Sequence, residues 1–305
     1  MAAGDSLIRR SKMILIPARE PFSFVAAARS HGWCRLAPFA WDDEHQELTR
    51  IEQLESGPVV RLRMAGAKGG VAVEVESAVE FTEAGLAQVR EKVSWMLRLD
   101  EDFSEFHALC RTEAALAQVV EKKQGRLLRS PTLFEDVVKT ILTTNTTWSQ
   151  TKGMVARLVE MLSQPFSLDP AAHVFPTPAQ IAPVDEEFLT QQVRLGYRSS
   201  YVLELARRVA SGELDLESWK HTDMETDKLR RQLKALKGVG DYAAANLLML
   251  LGRYDCLAVD SWARKVIGQR FFPGKERVSD REIAAVFDRW GKWKFLAYWF
   301  YKWET

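Results

Sequence analysis

The chain has 305 residues, of which 47% are hydrophobic and 27% are charged, and its formal net charge is +1. These values are typical of a soluble globular protein with one large or two smaller domains. No apolar run approaches the roughly 20 residues that a membrane span needs, and the N-terminus lacks the long apolar region of a secretory signal. We therefore expect an intracellular protein without a membrane anchor.

The three cysteines, Cys34, Cys110 and Cys256, are far apart in the sequence. They form no CxxC pair, and their spacing matches neither a zinc site nor an iron–sulfur site. We expect a reduced protein with no structural metal.

The near-neutral net charge conceals an uneven distribution. From Lys228 to Thr305 there are 16 Lys and Arg residues against 8 Asp and Glu, a local charge of +8, and the other residues hold 26 against 33. Such a chain can present one cationic face to phosphates while staying nearly neutral overall. An uneven but merely solvated surface explains the same numbers equally well.

The N-terminal region, from Met13 to about Ser77, predicts strands and turns. The segments VVRLRM and VAVEVES alternate or cluster β-branched residues, and GAKGG between them is typical of a hairpin turn. From Thr82 onward the apolar residues follow helical spacing, and Thr82 itself is a candidate N-cap. We predict an α+β, mostly α fold: a small antiparallel β domain over residues 1–80 and a helical body over residues 81–305.

The segment LKGVGDYAAANLLMLL predicts a helix-hairpin-helix over about residues 228–250. One helix ends at Leu236, Gly238, Val239 and Gly240 turn the chain, and a second helix begins near Asp241. Glycine suits a turn with positive φ and allows close approach of a ligand. The turn amides and the dipole of the second helix then form an anion site suited to a DNA phosphate. An ordinary turn between two helices is the alternative.

A single carboxylate, Asp260, follows the hairpin after a short extended segment, RYDCLAV, and precedes a basic helix, SWARKVIGQRF. At that position the positive end of the helix dipole favours an ionised side chain. Asp260 is therefore a candidate catalytic acid, a candidate N-cap, or both.

Together, these features resemble the helix-hairpin-helix (HhH-GPD) DNA glycosylase superfamily, which has a Gly/Pro-rich hairpin and an essential Asp. GRLLRSPTLFEDVVKTILTTNTTWSQTKGMVARLVE and LGYRSSYVLELAR resemble the body of its 8-oxoguanine and 3-methyladenine enzymes, and the likeness covers about Phe22 to the C-terminus. The resemblance implies a base excision repair enzyme that acts on double-stranded DNA containing a damaged base. It places the protein in the cytoplasm or nucleoid, or in the nucleus of a eukaryote.

The resemblance also bears on the reaction type. Bifunctional members carry a lysine nucleophile two residues after the second hairpin glycine, and here that position is Tyr242. Lys237 precedes the glycines and is not equivalent. The chain therefore resembles a monofunctional hydrolase, in which water attacks, no Schiff base forms and Asp260 stabilises the positive charge that develops on the deoxyribose.

Other residues match positions that handle the flipped base and its partner. Tyr197 matches a duplex wedge, and Arg198 and Asn145 match residues that contact the orphaned base, which is cytosine in the 8-oxoguanine family. The arginine expected five positions after Asn145 is Gln150. The remaining candidates are Tyr242, Phe300 and Trp148 for the base pocket, and Lys237, Arg264 and Lys265 for DNA contacts.

The aromatic C-terminal segment WGKWKFLAYWFYKWE favours the burial of one helix face, formed by Trp293, Phe295, Trp299, Phe300 and Trp303. Phe300 is the member of this set that the resemblance also places against the flipped base.

Three classes of function stay open at this point. The first is a DNA glycosylase, for which an alkylated purine is the favoured substrate and an oxidised guanine opposite C or a deaminated or mismatched base is the neighbouring alternative. The chain could also be a non-catalytic DNA-binding module, or an unrelated helical protein. We expect a monomer without a cofactor, and the resemblance adds the option of a monovalent cation on the carbonyls of the Gly238–Gly240 turn.

Overall fold

The computed structural model describes residues 8–55, 57–257, 259 and 261–302, with only the backbone of 261–263. Its N-terminal part is a five-stranded antiparallel sheet with the strand order β1-β5-β4-β3-β2. The strands are β1 (Arg10–Pro17), β2 (Phe39–Asp42), β3 (Glu47–Gln53), β4 (Val59–Ala67) and β5 (Gly70–Ser77).

The β4–β5 hairpin confirms the sequence prediction for this region. Ala67 pairs with Gly70, so that the turn consists of Lys68 and Gly69, and Gly69 has a φ of +77°. Glycine adopts this backbone conformation without steric cost. Alternate residues of both strands are buried, and they pack on the helices.

The rest of the chain is mainly helical, which confirms the α+β, mostly α class. The helices are α1 (Phe24–Ala28), α2 (Glu83–Leu97), α3 (Ser104–Cys110), α4 (Ala117–Glu121), α5 (Leu133–Thr143), α6 (Trp148–Leu162), α7 (Pro178–Ile181), α8 (Glu186–Gln191), α9 (Ser199–Ala210), α10 (Thr226–Lys234), α11 (Asp241–Leu250), α12 (Ser261–Phe271), α13 (Asp280–Phe287) and α14 (Lys294–Phe300). Short 3₁₀ turns include Gly196–Arg198 and Asp288–Trp293.

Helix α2 begins where the sequence places it. The side chain of Thr82 accepts a hydrogen bond from Gly85 N at 3.0 Å, and the apolar residues of the helix are buried. Strand β5, the last strand of the five-stranded sheet, ends at Ser77, and α2 begins at Glu83, on either side of the domain boundary proposed at residue 80. Buried side chains from the sheet and from the helices form one continuous core.

A small second sheet was missed by the sequence prediction, which treats this region as helical. Strands β6 (Pro165–Phe166) and β7 (Asp169–His173) form a hairpin after α6. Phe166 packs with Ile51 of β3, and the Arg61 guanidinium lies 5.0 Å from the Phe166 ring and is ion-paired with Asp169. The hairpin therefore covers part of the outer face of the five-stranded sheet.

The C-terminal aromatic segment does not form one helix as predicted. Gly291, with φ +53° and ψ −126°, breaks the chain, and the 3₁₀ turn ends at Trp293 before the short helix α14 begins. Trp293, Phe295 and Phe300 are buried as expected, and Trp299 packs partly buried against the core. Trp303 lies outside the described residues.

A buried ionic cluster joins the sheet to the helical body. Arg50 of β3 donates two hydrogen bonds to the Glu135 carboxylate of α5, at 2.9 and 2.7 Å, and Lys139 Nζ donates to the same carboxylate at 2.6 Å. Burial alone raises the pKa of Glu135, but Arg50 and Lys139 hold that pKa at about 2. Arg50 also donates to Glu52 at 2.6 Å. The cluster therefore fixes α5 relative to the sheet.

No helix among residues 8–302, positions 56, 258 and 260 excepted, is long and apolar enough to cross a membrane. Within the same residues, there is no group of three or more His, Cys, Asp or Glu side chains arranged to hold a metal ion.

Candidate nucleic-acid interface and active site

The predicted hairpin is present between α10 and α11. Gly238 has a φ of +86°, Val239 N donates to Leu236 O at 3.0 Å, and the Val239 side chain is 5% exposed. The buried valine packs at the junction of the two helices, as its position in the sequence suggests. The first helix ends at Lys234, two residues earlier than predicted.

The start of α11 is suited to an anion. Gly240 is the N-cap residue, and it supplies no side chain to satisfy the first amides of the helix. A Cβ at Gly240 would have no heavy atom within 4 Å, so the space in front of these amides is open. The Asp241 carboxylate is held by Arg230 and Lys234, at 2.7 and 2.8 Å. The turn therefore presents backbone donors next to a basic helix.

The two hairpin glycines differ in what a side chain would meet. We expect Gly238→Ala to weaken duplex binding about tenfold or more and to cost about 1–3 kcal/mol of stability, because φ is positive and a Cβ would lie 2.5 Å from Tyr201 Cδ2. Gly240→Ala is the matched control for stability alone, since its φ of −87° suits alanine and its Cβ would have no heavy atom within 4 Å. Fluorescence polarisation and thermal unfolding measure both. Equal stability of the two variants would contradict the strain argument.

Three residues predicted to act at the opened base pair lie together. Asn145, with a φ of +47°, donates from Nδ2 to the Tyr197 hydroxyl at 3.5 Å, and the Tyr197 side chain is 52% exposed. Arg198 is only 6% exposed, and its Nη2 donates to the carbonyl oxygens of Thr144 and Asn145. Arg198 therefore supports the turn that carries Asn145, and Tyr197 projects outward.

Tyr242 lines a cavity of about 1010 Å³. It lies there beside the segment Asp255–Leu257 and Val259, which leads to the predicted catalytic position. Asp260 itself lies outside the described residues. The charged residues that line the cavity in the described part of the chain are six carboxylates and three cations: Glu225, Asp227, Asp241, Asp255, Asp280 and Asp288 against Arg230, Arg281 and Lys294. Three of these carboxylates are ion-paired, Asp241 with Arg230 and Lys234, Asp280 with Arg264, and Asp288 with Lys294, so the described walls keep only a small excess of negative charge.

The three predicted base-pocket residues occupy different places. Phe300 is 7% exposed and lines a separate cavity with residues of α1 and of the segment Glu121–Gln124. Trp148, at the start of α6, packs on Gly32, where a Cβ would lie 2.5 Å from Trp148 Cη2. The described part of the structure thus places only Tyr242 beside the segment that precedes Asp260.

The predicted basic contacts are on the surface with varied partners. Lys237 pairs with Glu204 at 3.3 Å, and Arg264 pairs with Asp280 and donates to Val278 O at 3.3 Å. Lys265 is exposed. A DNA phosphate would therefore compete with Glu204 and Asp280 for two of these cations.

Sequence reasoning missed two residues at this surface. Gly32, which supports Trp148, carries no recognisable signal, because its contact lies in a distant part of the chain. Tyr201, which contacts both Tyr197 and Gly238, was detectable, since it follows Tyr197 by one helical turn.

Residues 138–292, just over half of the chain, match the model of the HhH-GPD superfamily of base excision DNA repair proteins, and the protein belongs to that superfamily. No curated protein matches this sequence.

Among solved structures, the chain is similar to an apo 8-oxoguanine glycosylase/lyase from Clostridium acetobutylicum (17% identity, TM-score 0.74, 96% of this chain and 97% of that chain). It is similar also to a 3-methyladenine DNA glycosylase from Archaeoglobus fulgidus (19% identity, TM-score 0.73, 95% and 97%). The same Clostridium enzyme with double-stranded DNA containing cytosine opposite 8-oxoguanine gives 18% identity, a TM-score of 0.67, and 88% and 90% coverage.

The family match confirms the superfamily that the sequence resemblance implied, and the similar structures confirm the fold. At such identities they show the fold alone, and the two lesions named among these proteins differ. The choice of substrate therefore rests on the residues of this chain.

Proposed function

We propose that the protein is a monofunctional DNA N-glycosylase that flips an alkylated purine out of the duplex and hydrolyses its N-glycosidic bond. The observation that carries this proposal is the position of Tyr242 in the acidic cavity, beside the segment that leads to Asp260. A tyrosine occupies the place of the lysine nucleophile, so that water is the attacking group.

The charge of the cavity supports the alkylated base. A purine nucleotide alkylated at N3 or N7 carries a positive charge that 8-oxoguanine lacks, and the cavity walls carry Glu225, Asp227 and Asp255 in addition to the three carboxylates that are ion-paired. In a water-poor site such complementarity is stronger than in bulk solvent. Tyr242 is 44% exposed, and in this proposal its aromatic ring stacks on the cationic base.

The other candidate site residues would act in DNA binding. The amides of the Gly238–Gly240 turn hold a backbone phosphate, assisted by Lys237, Arg264 and Lys265, and Tyr197 enters the base stack. Asn145 contacts the orphaned base, and Arg198, which holds the carbonyls of Thr144 and Asn145, supports that contact. Trp148 and Phe300 lie apart from Tyr242, so the pocket role predicted for them is dropped from this proposal. Unstacking costs a few kcal/mol, which is lower at a damaged pair and is offset by these contacts.

The proposed chemical step assigns one carboxylate, that of Asp260, to the sugar. The bond between C1′ and the base nitrogen breaks, and the base leaves with the bonding electrons. The ionised Asp260 stabilises the resulting oxocarbenium character and accepts a proton from the water whose oxygen bonds to C1′. The products are a free base and an intact strand with an abasic site.

We also propose that the protein acts as a monomer, since damage search needs one binding face. The hairpin could in addition hold a monovalent cation. The turn offers only neutral backbone oxygens, which suit a hard cation of low charge. Titration of duplex binding with K⁺ at constant ionic strength tests this point.

An oxidised guanine opposite C is the second candidate, because Asn145, Tyr197 and Arg198 are assembled in one cluster. If this candidate is correct, 8-oxoguanine release depends strongly on the opposite base, since the orphan-reading residues recognise cytosine.

Borohydride trapping tests the monofunctional assignment. We expect the protein to give no covalent adduct with a duplex containing an abasic site, because no amine occupies position 242. A glycosylase/lyase serves as the positive control. A trapped adduct would show that another amine of this chain attacks the sugar, and the hydrolase proposal would be wrong.

A further inference from the structure

Tyr201 connects two parts of the proposed DNA-binding surface. It lies in the first turn of α9 and is partly buried. Its ring meets the Tyr197 ring edge-on, with 5.8 Å between centroids and an interplanar angle of 71°. On the other side it contacts the hairpin so closely that a Cβ on Gly238 would lie 2.5 Å from its Cδ2 atom. One ring therefore touches both the wedge candidate and the phosphate-binding turn.

The contacts continue beyond both ends of this bridge. The Lys237 ammonium lies 5.6 Å from the Tyr201 ring centre, and it pairs with Glu204, which stands three residues further along α9. The Tyr197 hydroxyl accepts the hydrogen bond from Asn145. An unbroken line of contacts thus runs from the turn at Asn145 through both tyrosines to the hairpin.

This arrangement can transmit a displacement. Gly238, with φ +86°, leaves no gap between the hairpin backbone and the ring, and closely packed groups move together. When a phosphate seats on the turn, the hairpin holds the Tyr201 ring, and the ring in turn limits the directions in which Tyr197 can move.

We propose that Tyr201 is a positioning residue that couples phosphate binding at the hairpin to insertion of Tyr197 into the base stack. This inference rests on the proposed function, because it assumes that the surface binds duplex DNA and that Tyr197 is the wedge. It assigns the role to the ring of Tyr201 and not to its hydroxyl, since both contacts involve ring atoms.

The test uses wedge insertion as its readout, which does not depend on the identity of the lesion. The probe is a duplex with 2-aminopurine opposite a tetrahydrofuran abasic analogue, whose fluorescence rises when 2-aminopurine leaves the stack. We expect Tyr201→Leu to lower the equilibrium constant for this unstacking about two- to tenfold, the range of an aromatic pair contact. Tyr201→Phe keeps the ring and should behave like the wild type.

A double-mutant cycle separates coupling from simple packing. In a Tyr197→Ala background, Tyr201→Leu should cause no further loss of unstacking, because the coupled partner is gone. Val209→Ala is the control for stability, since Val209 is a partly buried residue at the far end of the same helix. At matched thermal stability it should leave unstacking unchanged.

Additive losses in the cycle, or an equal loss in Val209→Ala, would overturn the coupling. If the wild type unstacks 2-aminopurine and Tyr201→Leu does so equally well, the coupling is wrong and the proposed function stands. A wild-type protein that binds the probe duplex without unstacking the 2-aminopurine would overturn both.

Discussion

Asp260→Asn is expected to slow base release in a single turnover by about 10²–10⁴-fold while duplex affinity stays nearly unchanged. Asparagine has the same shape as aspartate but no charge, so it cannot stabilise the oxocarbenium character of the sugar. It caps a helix as well as aspartate does, so any role of Asp260 in starting α12 is preserved. The substitution therefore separates the catalytic role from the capping role.

Asp255→Asn is the matched control for this experiment. Asp255 is an exposed carboxylate of the same segment and lines the same cavity, five residues before Asp260. Its loss should change the rate only a few-fold, because it alters the charge of the cavity without touching the proposed reaction centre. Normal base release by Asp260→Asn would mean that Asp260 acts only as a helix cap. An equal loss of rate in Asp260→Asn and Asp255→Asn would mean that Asp260 contributes only to the overall charge of the cavity.

Glu135→Gln is expected to destabilise the protein by about 3–5 kcal/mol, because it removes the carboxylate of the buried Lys139 and leaves the buried Arg50 with Glu52 alone. Chemical denaturation measures the loss. Asp102→Asn, which breaks an exposed pair with Arg19, is the control and should cost less than about 1 kcal/mol. A similar cost for both variants would mean that the cluster contributes little to joining the sheet and the helices.

The pH dependence of the stability tests the role of the Glu135 carboxylate further. The pKa of Glu135 is lowered to about 2 in the folded protein from an ordinary value of 4.5. The stabilisation by its ionised form is therefore complete above about pH 4.5 and is lost as the pH falls towards 2. The stability difference between the wild type and Glu135→Gln should narrow across that window, and a constant difference would show that the carboxylate charge is not its source.

Local signals explain why much of the architecture was predictable. The β4–β5 hairpin has alternating apolar residues around a Lys68–Gly69 turn, and α2 begins with the Thr82 cap. The helix-hairpin-helix combines Gly238, which the turn requires, with apolar residues at helical spacing. Each of these features depends on residues that are close in the sequence, where propensity and periodicity are informative.

The features that were missed depend on distant contacts. The β6–β7 hairpin is short and contains two prolines, and Phe166 is buried because it meets Ile51 of another sheet. The sequence around Arg50 gives no indication that Arg50 is buried, since its partner Glu135 lies 85 residues away. Trp148 likewise packs on Gly32, and Phe300 lines a cavity apart from Tyr242. Periodicity cannot reveal such pairs.

The central claim, hydrolytic release of an alkylated purine, is tested most directly by single-turnover release from duplexes that carry one lesion each. The panel consists of methylated adenine and guanine, hypoxanthine, ethenoadenine, 8-oxoguanine and uracil, and each reaction is analysed with and without hot alkali. We expect release of the methylated purines, with strand cleavage only after alkali, because the product is an intact strand with an abasic site. Release of 8-oxoguanine opposite C in place of the methylated purines, or strand cleavage without alkali, would contradict the account.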